Sequence, residues 1–351
     1  MPTDTAPFRL AIAGITHAHI NILPRSTFKG MELVGIQESK EDFLKAYGVV
    51  HGHDPALLYT DLETMLDAVK PEAVAAFGSI REHMAVVEAC APRGIHVMVE
   101  KPMAIDVAEA ERMEELAARH GIFILTNYET TWYATNHEAI ARTADEGRYG
   151  KVRKVVIHDG HPGPKEIGCG PHFLEWLTDP ELAGGGALPD FGCYGANLMT
   201  RIMQDQPPLR VSAVTHQFKP HLYPKVDDDA TAIVSYADAE AIIQASWNWP
   251  VSRKDMEIYA ERAQVIAMDN RHMRTRAGDK VDEAFETLPP LVAPYDDPFA
   301  HFAAVVRGEV ILHKYDLAGL ANNVVVVRIL AAARESARTG KVVEVSKPKS
   351  R

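Results

Sequence analysis

Downstream of a triple glycine, Gly184–Gly186, the chain places a carboxylate, Asp190, a phenol, Tyr194, and an amide, Asn197, at spacings of four and then three residues. If a helix begins near Asp190, those groups share one face. A core helix does not normally carry such a stripe, because unpaired polar groups are costly to bury. The stripe is therefore expected to face a ligand. Far upstream, a strand-like run from Ile95 to Val99 ends in Glu100-Lys101-Pro102. A carboxylate, a lysine and a phenol that converge can move a proton to or from a bound substrate.

The elements that would position these groups follow from periodicity. Strands are expected at Phe8 to Gly14, with a helix after the turn, and at Met31 to Gln37, Ala73 to Phe77, Ile95 to Val99 and Ile122 to Thr126. Helices are expected after Ser39, from Asp61, at His83 to Ala91 and at Val107 to His120. Strand alternates with helix, which predicts βαβ units around a parallel sheet. Beyond residue 127 the rhythm changes. Val152 to His158, Leu209 to Phe218, Ala230 to Ala237, Glu240 to Trp249, Met256 to Tyr259 and Ala263 to Met268 read as strands of a mostly antiparallel sheet. A helix near Asp190 to Gln204 packs on it, Leu288 to Pro298 is a surface loop, and a last helix runs from Asp316 to Arg338. The fold class is α/β: a dinucleotide-binding domain over 1–126, then an α+β domain over 127–351 with an open sheet. The last helix is placed to pack back on the first domain.

A dinucleotide fold needs a glycine turn after its first strand, so that backbone approaches a pyrophosphate. Here the turn is Gly14-Ile15-Thr16-His17-Ala18-His19, which keeps only the first glycine of GxGxxG. Glu38, at the end of the second strand, is placed to accept the ribose hydroxyls of NAD and repel a 2′-phosphate. Ser39 and Lys40 beside it leave NADP open. His17 and His19 form one HxH pair and His51 and His53 another, but no third ligand accompanies either in sequence. No metal is expected, and His17 or His19 reads better beside the pyrophosphate.

Together these stretches resemble the Gfo/Idh/MocA family of NAD(P)-dependent oxidoreductases, named for glucose–fructose oxidoreductase, inositol dehydrogenase and rhizopine catabolism. The resemblance covers the opening strand and turn, Leu33 to Glu38, Val74 to His83, His96 to Met103, Gly184 to Asn197 and Glu335 to Lys341. It implies a Rossmann domain in the first part. It makes Lys101 the lysine that contacts both nicotinamide ribose and substrate hydroxyl, and Asp190 the first aspartate of the family's DxGxHxxD. Tyr194 falls where many members have a catalytic histidine, and Asn197 where they have a second aspartate; sugar-oxidising branches are similar in placing tyrosine there. The implied cofactor contacts are Gly14, Ile15, Thr16, His17, His19, Glu38, Gly78, Ser79, His83, Glu100, Lys101 and Asn127. Gly78-Ser79-Ile80 replaces the family's Thr-Pro-Asn, and Asn127 to Trp132 replaces its usual run after the sixth strand, so substrate preference should differ.

The chemistry of the substitution can be argued directly. A free phenol ionises near pH 10, too high for a base at neutrality, and the Lys101 ammonium is expected to bring Tyr194 down. Tyr194 is then the acid/base, assisted by Lys101, while Asp190 orients sugar hydroxyls and keeps Lys101 charged. Tyr128 and Lys165 are the leading further substrate contacts, with Asn197, the His158–His161 run and Trp247 to Trp249 behind them. The expected reaction is hydride transfer between a sugar or polyol hydroxyl and nicotinamide. The alternatives are a sugar lyase or glycosidase that recycles NAD by oxidation, elimination and reduction, and a non-catalytic cofactor-binding regulator.

Composition bounds the partners. With 351 residues, 46% apolar and 24% charged, the chain is long enough for two domains, and its net charge of −11 argues against a nucleic-acid groove. No apolar run is long enough to span a membrane, the start lacks a signal-peptide pattern, and three cysteines form no CxxC, which fits a cytoplasmic protein. Subunit pairing through the open sheet face is common in the family, so a homodimer or homotetramer is expected.

Overall fold

Six apolar runs become the strands of one parallel sheet: β1 (Phe8–Ala13), β2 (Met31–Gln37), β3 (Leu58–Tyr59), β4 (Ala73–Ala76), β5 (His96–Glu100) and β6 (Ile124–Asn127). Their order is β3-β2-β1-β4-β5-β6, and every pairing is parallel. The central strands are buried on both faces, β4 along its whole length, which is why they read as continuous apolar runs. Chain direction reverses its progress across the sheet between β1 and β4, which opens a crevice at the C-terminal strand ends. The structure, a computed structural model, describes residues 6–22 and 30–347. The helix expected after the first turn is a short 3-10 segment, Ala18–Ile22, as far as it is described; positions 23–29 lie outside the described residues, as do the first five residues of the start read for a signal peptide.

Capping residues set the helix starts. Asp61 accepts from Thr64 N at 2.8 Å before the helix Leu62–Val69, and Asp106 accepts from Glu109 N at 3.0 Å before Val107–His120. Gly121, in the left-handed region with φ 66°, closes the second.

The second sheet has nine strands: β7 (Val152–Gly160), β8 (Arg210–His216), β9 (Asp229–Ser235), β10 (Glu240–Ser246), β11 (Arg253–Ala260), β12 (Gln264–Ala267), β13 (His272–Arg276), β14 (Ala284–Thr287) and β15 (Val343–Glu344). The order is β14-β13-β12-β11-β7-β10-β9-β8-β15, with β7–β10 the one parallel pairing. One face is covered by the helices Ala187–Met203 and Leu320–Thr339. The other leaves Val214 and Ile233 exposed. Several elements carried too weak a pattern to be expected: the helices Ala134–Ala144, Pro171–Leu177 and Pro298–Val306, and strands β13 and β14.

The core of the parallel sheet also takes in segments from far down the chain. Phe302 packs edge-on against Phe8 at 6.3 Å, and Val324 and Val327 of the last helix pack among Met113 and Leu116. The last helix thus touches both sheets, as expected, and it begins four residues later than expected, at Leu320.

The helix Ala187–Met203 begins three residues before Asp190, and Asp227 fixes its start. The Asp227 carboxylate accepts from Gly186 N at 2.9 Å and Leu188 N at 2.7 Å, and its carbonyl accepts from Ala187 N at 3.0 Å. That approach requires glycine: a Cβ on Gly186 would lie 1.8 Å from the Asp227 carbonyl oxygen. By contrast, a Cβ on Gly192 in the same helix meets nothing closer than 3.4 Å. Gly186→Ala should therefore destabilise the protein by roughly 3 kcal/mol or more in chemical denaturation. Gly192→Ala should leave stability unchanged or raise it by up to about 1 kcal/mol. Equal stability of the two variants would contradict this account of the helix start.

Candidate active site

The crevice collects the residues that follow the strands. β1 runs into Gly14, β2 into Glu38, β4 into Phe77-Gly78, β5 into Lys101, and β6 ends at Asn127. Gly14 has φ 72°, and a Cβ there would meet Gly78 at 2.7 Å, so the turn tolerates glycine alone. The Ile15 N–H donates to Glu38 Oε2 at 3.2 Å, and the Lys40 N–H to Glu38 Oε1 at 3.1 Å. Thr16 Oγ1 is buried with no hydrogen-bond partner among the described residues. A backbone N–H that already holds an anionic group, beside an orphaned hydroxyl, fits the pyrophosphate of a dinucleotide. Next to the turn, Glu38, Ser39, Leu62, Gly78 and His83 line a cleft of about 160 Å³. Ser79 turns away from it, its N and Oγ donating to Glu82 Oε2 at 2.6 and 2.8 Å. His83 is buried, and burial brings its pKa down to about 4. The neutral ring donates from Nδ1 to the Met103 carbonyl at 3.1 Å.

Glu100, the last residue of β5, gathers the polar groups around the end of that strand. It is 1% exposed, pairs through Oε2 with His19 Nδ1 at 2.9 Å, and accepts through Oε1 from Asn127 Nδ2 at 2.7 Å. Asn127 Oδ1 accepts in turn from Trp132 Nε1 at 3.0 Å. Burial pushes Glu100 upward, but the His19 charge and these hydrogen bonds win and bring it down to about 2. His17 is buried under Phe173 and Trp176, at ring distances of 5.0 and 5.5 Å, and burial holds it neutral. Its Nδ1 accepts from the His19 N–H at 3.1 Å, so its proton sits on Nε2, 3.9 Å from Glu100. Glu100 is thus the third donor that the HxH pair lacks in sequence; the three lie within 4.8 Å of one another, each already engaged with the others.

Lys101, Asp190 and Tyr194 meet in a cavity of about 620 Å³ that His17, His161 and Lys254 also border. Lys101 precedes Pro102 across a cis peptide bond and is 5% exposed. Its Nζ donates to the Asp190 carboxylate and, at 3.0 Å, to the Asp190 carbonyl. Trp247 Nε1 donates to the other carboxylate oxygen at 2.9 Å. Burial works against both charges, yet the pair outweighs it: Lys101 is raised and Asp190 lowered from their ordinary values. His161 Nδ1 accepts from Gly163 N at 2.9 Å, and burial lowers its pKa, so a neutral His161 carries its proton on Nε2.

Several expectations need correction. Burial, followed by the negative charges of Glu129, Asp190 and Glu100, pushes the Tyr194 phenol well above its ordinary value, so Lys101 does not bring it down; its charge is spent on Asp190. Asn197 does not reach the cavity. It shares the helix face of Asp190, but seven residues is about 10 Å of helix, and its amide is fully buried against the Leu317 carbonyl at 2.8 Å. Lys165 turns its ammonium to the Leu222 carbonyl, over the Tyr223 ring. Tyr128 lies behind the cavity wall, edge-on to Tyr194 at 5.4 Å, its hydroxyl without a partner among the described residues. Conversely, Lys254 and Tyr133 line the cavity and were not singled out. Lys254 had a signal: it shares the inward face of β11 with Met256 and Ile258, both fully buried.

Comparison with known proteins identifies the family and the fold. Residues 8–128 match the model of an oxidoreductase family with an NAD-binding Rossmann fold, and residues 137–266 match the GFO/IDH/MocA C-terminal domain. The chain belongs to the GFO/IDH/MocA oxidoreductase family, and its first domain is an NAD-binding Rossmann domain. Among its relatives, trans-1,2-dihydrobenzene-1,2-diol dehydrogenase of Bos taurus is 27% identical over 62% of this chain and 59% of its own length. A 1,5-anhydro-D-fructose reductase of Ensifer adhaerens is 26% identical over 53% of each. The chain thus spans about 60% or less of the length of these two relatives. In fold it is similar to an inositol dehydrogenase homolog complexed with NAD+ from Azotobacter vinelandii, with a TM-score of 0.82 at 20% identity, covering 96% of this chain and 97% of that one. An aldose-aldose oxidoreductase from Caulobacter crescentus gives a TM-score of 0.79 at 22% identity over 96% and 99%. No helix among the described residues is long and apolar enough to cross a membrane.

Glu100 is more acidic in the fold than in the unfolded chain. Its contribution to stability is complete above about pH 5 and is lost as pH falls from the ordinary carboxylate value of 4.5 to about 2. Glu100→Gln should lower stability at neutrality and flatten the melting temperature against pH across that window. A variant whose acid-side slope matches the parent would contradict the assignment.

Proposed function

We propose that the protein is an NAD(P)-dependent oxidoreductase that moves a hydride between a sugar or polyol hydroxyl and nicotinamide. The observation that carries this reading is the meeting of three groups beside the glycine turn: Lys101, ion-paired to Asp190, with the Tyr194 phenol in the same cavity. The bound nicotinamide supplies the hydride acceptor or donor; Gly14, Ile15, Thr16, Glu38 and Glu100 would hold the dinucleotide. The chain's own residues do the rest. Tyr194 exchanges a proton with the substrate oxygen at its phenolic oxygen. Lys101, fixed at two points on Asp190, holds positive charge where the oxygen becomes negative. Asp190, already oriented by Trp247, positions the substrate's neighbouring hydroxyls. Glu38, facing the turn, favours NAD over its 2′-phosphorylated form. The exposed apolar residues on the uncovered face of the second sheet support a homodimer or homotetramer.

Tyr194→Phe keeps the ring packing and removes only the hydroxyl. It should bind NADH with unchanged fluorescence enhancement while turnover on a responsive sugar falls about 100-fold or more. Lys101→Met should lose comparable turnover and also about 3–5 kcal/mol of stability, because Asp190 is left buried and unpaired. Full activity in either variant would sink the catalytic assignment. Absence of any nicotinamide absorbance change across a sugar and polyol panel, with product nonetheless formed, would favour recycled-cofactor chemistry instead. A purely monomeric sedimentation profile would contradict the assembly.

A further inference from the structure

Tyr194 lies between two ammonium groups. Lys101 Nζ is 5.3 Å from the centre of its ring, and Lys254 Nζ is 4.8 Å from it. Lys101 is committed to the Asp190 carboxylate and carbonyl. Lys254 arrives from β11, opposite Asp159 of β7 in the strand register. Asp159 is 1% exposed, and neither of its carboxyl oxygens has a hydrogen-bond partner among the described residues. Burial keeps it protonated far above the usual carboxylate range. A neutral Asp159 leaves the Lys254 charge uncompensated on that side. On the other side Lys254 pairs with Glu129 Oε2, while Glu129 Oε1 accepts from Tyr133 at 2.6 Å.

Resting on the reading of Tyr194 as the proton-transfer group, we propose that the Glu129–Lys254 ion pair controls the charge on Tyr194, with Lys254 the positioning residue that supports the phenolate. The groups that face the phenol are Asp190 and Cys193 from its own helix, Glu100 and Lys101 from the end of β5, and Tyr128 and Glu129 from the segment after β6. Lys254 of β11 lies over the Tyr194 ring with Asp159 of β7 beside Lys254 in the register, and Tyr133, Arg253, Asp269 and His161 line the same cavity, His161 edge-on to the neighbouring Phe191 ring. Burial keeps Cys193 and Tyr128 neutral. Each of the two cations touches one carboxylate, Lys101 that of Asp190 and Lys254 that of Glu129. Glu129 opposes phenolate and Lys254 favours it, so the pair acts as two opposed levers on one group. In a turnover, one proton moves between the substrate oxygen and the Tyr194 oxygen. Tyr194 passes between phenol and phenolate, and Lys254 neither gains nor loses a proton. The pair also joins the segment after β6 to β11, so the levers are in place only when the two sheets are docked.

The signs give the test. Removing the Lys254 charge must make Tyr194 harder to ionise, and removing the Glu129 charge must make it easier. A polyfluorinated tyrosine placed at position 194 is far more acidic than tyrosine and brings the titration, followed by its absorbance, into the range where the protein stays folded. In the full-length protein carrying that residue, Lys254→Met should move the midpoint up and Glu129→Gln should move it down, each by about one pH unit or more. Lys254→Arg should restore the parent value to within a few tenths. With natural tyrosine, the pH dependence of kcat for sugar oxidation should move in the same two directions. The titration needs no substrate, so it decides the proposal even if every sugar fails and the reading of the function falls. Shifts of the same sign in both variants, or no shift in folded Lys254→Met as judged by circular dichroism, would overturn it.

Discussion

The buried ion pair between Lys101 and Asp190 is the constraint on which the site depends. It joins the end of a parallel strand to the first turn of a helix on the other sheet. Two charges taken out of water lose several kcal/mol of solvation each, and their attraction repays this only with good geometry and further hydrogen bonds. Here the further bonds are present. Lys101 uses the Asp190 carbonyl as a second acceptor, and the second carboxylate oxygen accepts from Trp247. The pair is worth keeping because its position fixes three things together: where the lysine points, where the helix begins and how the two sheets face each other. Asp227 holds that helix start from the far side, so Asp190 is clamped between a cap and a cation.

Much of this was legible in the chain. The parallel strands announced themselves as apolar runs with helices between them, and the residues at their ends fell at the crevice because strand order obliges them to. The Val107–His120 helix was readable to its ends, because Asp106 and Gly121 are strong stop signals. What failed was reasoning from one element at a time. The polar face of the helix from Ala187 seemed to require a ligand all along its length. In the fold, the Asn197 amide donates to the Leu317 carbonyl, supplied from 120 residues away. No spacing within the helix could reveal that partner. Lys165 and Tyr128 failed for the same reason: each has the right chemistry and lies near the site in sequence, but a neighbouring carbonyl or a packed ring sets its direction.

The missed signal was of a different kind, and it lay on strands. Val155, Ile157 and Asp159 share one face of β7, and Lys254, Met256 and Ile258 share the matching face of β11. A carboxyl and an ammonium each stand at the end of an otherwise apolar face, which local burial does not favour. Period-2 alternation exposes both once the strands are extended to their true ends. Beginning β11 at Met256 and ending β7 at His158 hid them. The charged end of an apolar face is where a core opens into a cavity.

The phenol shows why residue type alone does not fix chemistry. A tyrosine beside a lysine suggests an easily ionised base, but both nearby cations are engaged by carboxylates, and the surrounding acids together with burial oppose ionisation. In this pocket the resting group is a phenol, a proton donor to a substrate oxygen. It becomes a base only when positive charge outweighs Glu129, Asp190 and Glu100. In the proposed reaction, hydride transfer in either direction moves one negative charge onto or off the substrate oxygen, and Tyr194 would compensate at the same point.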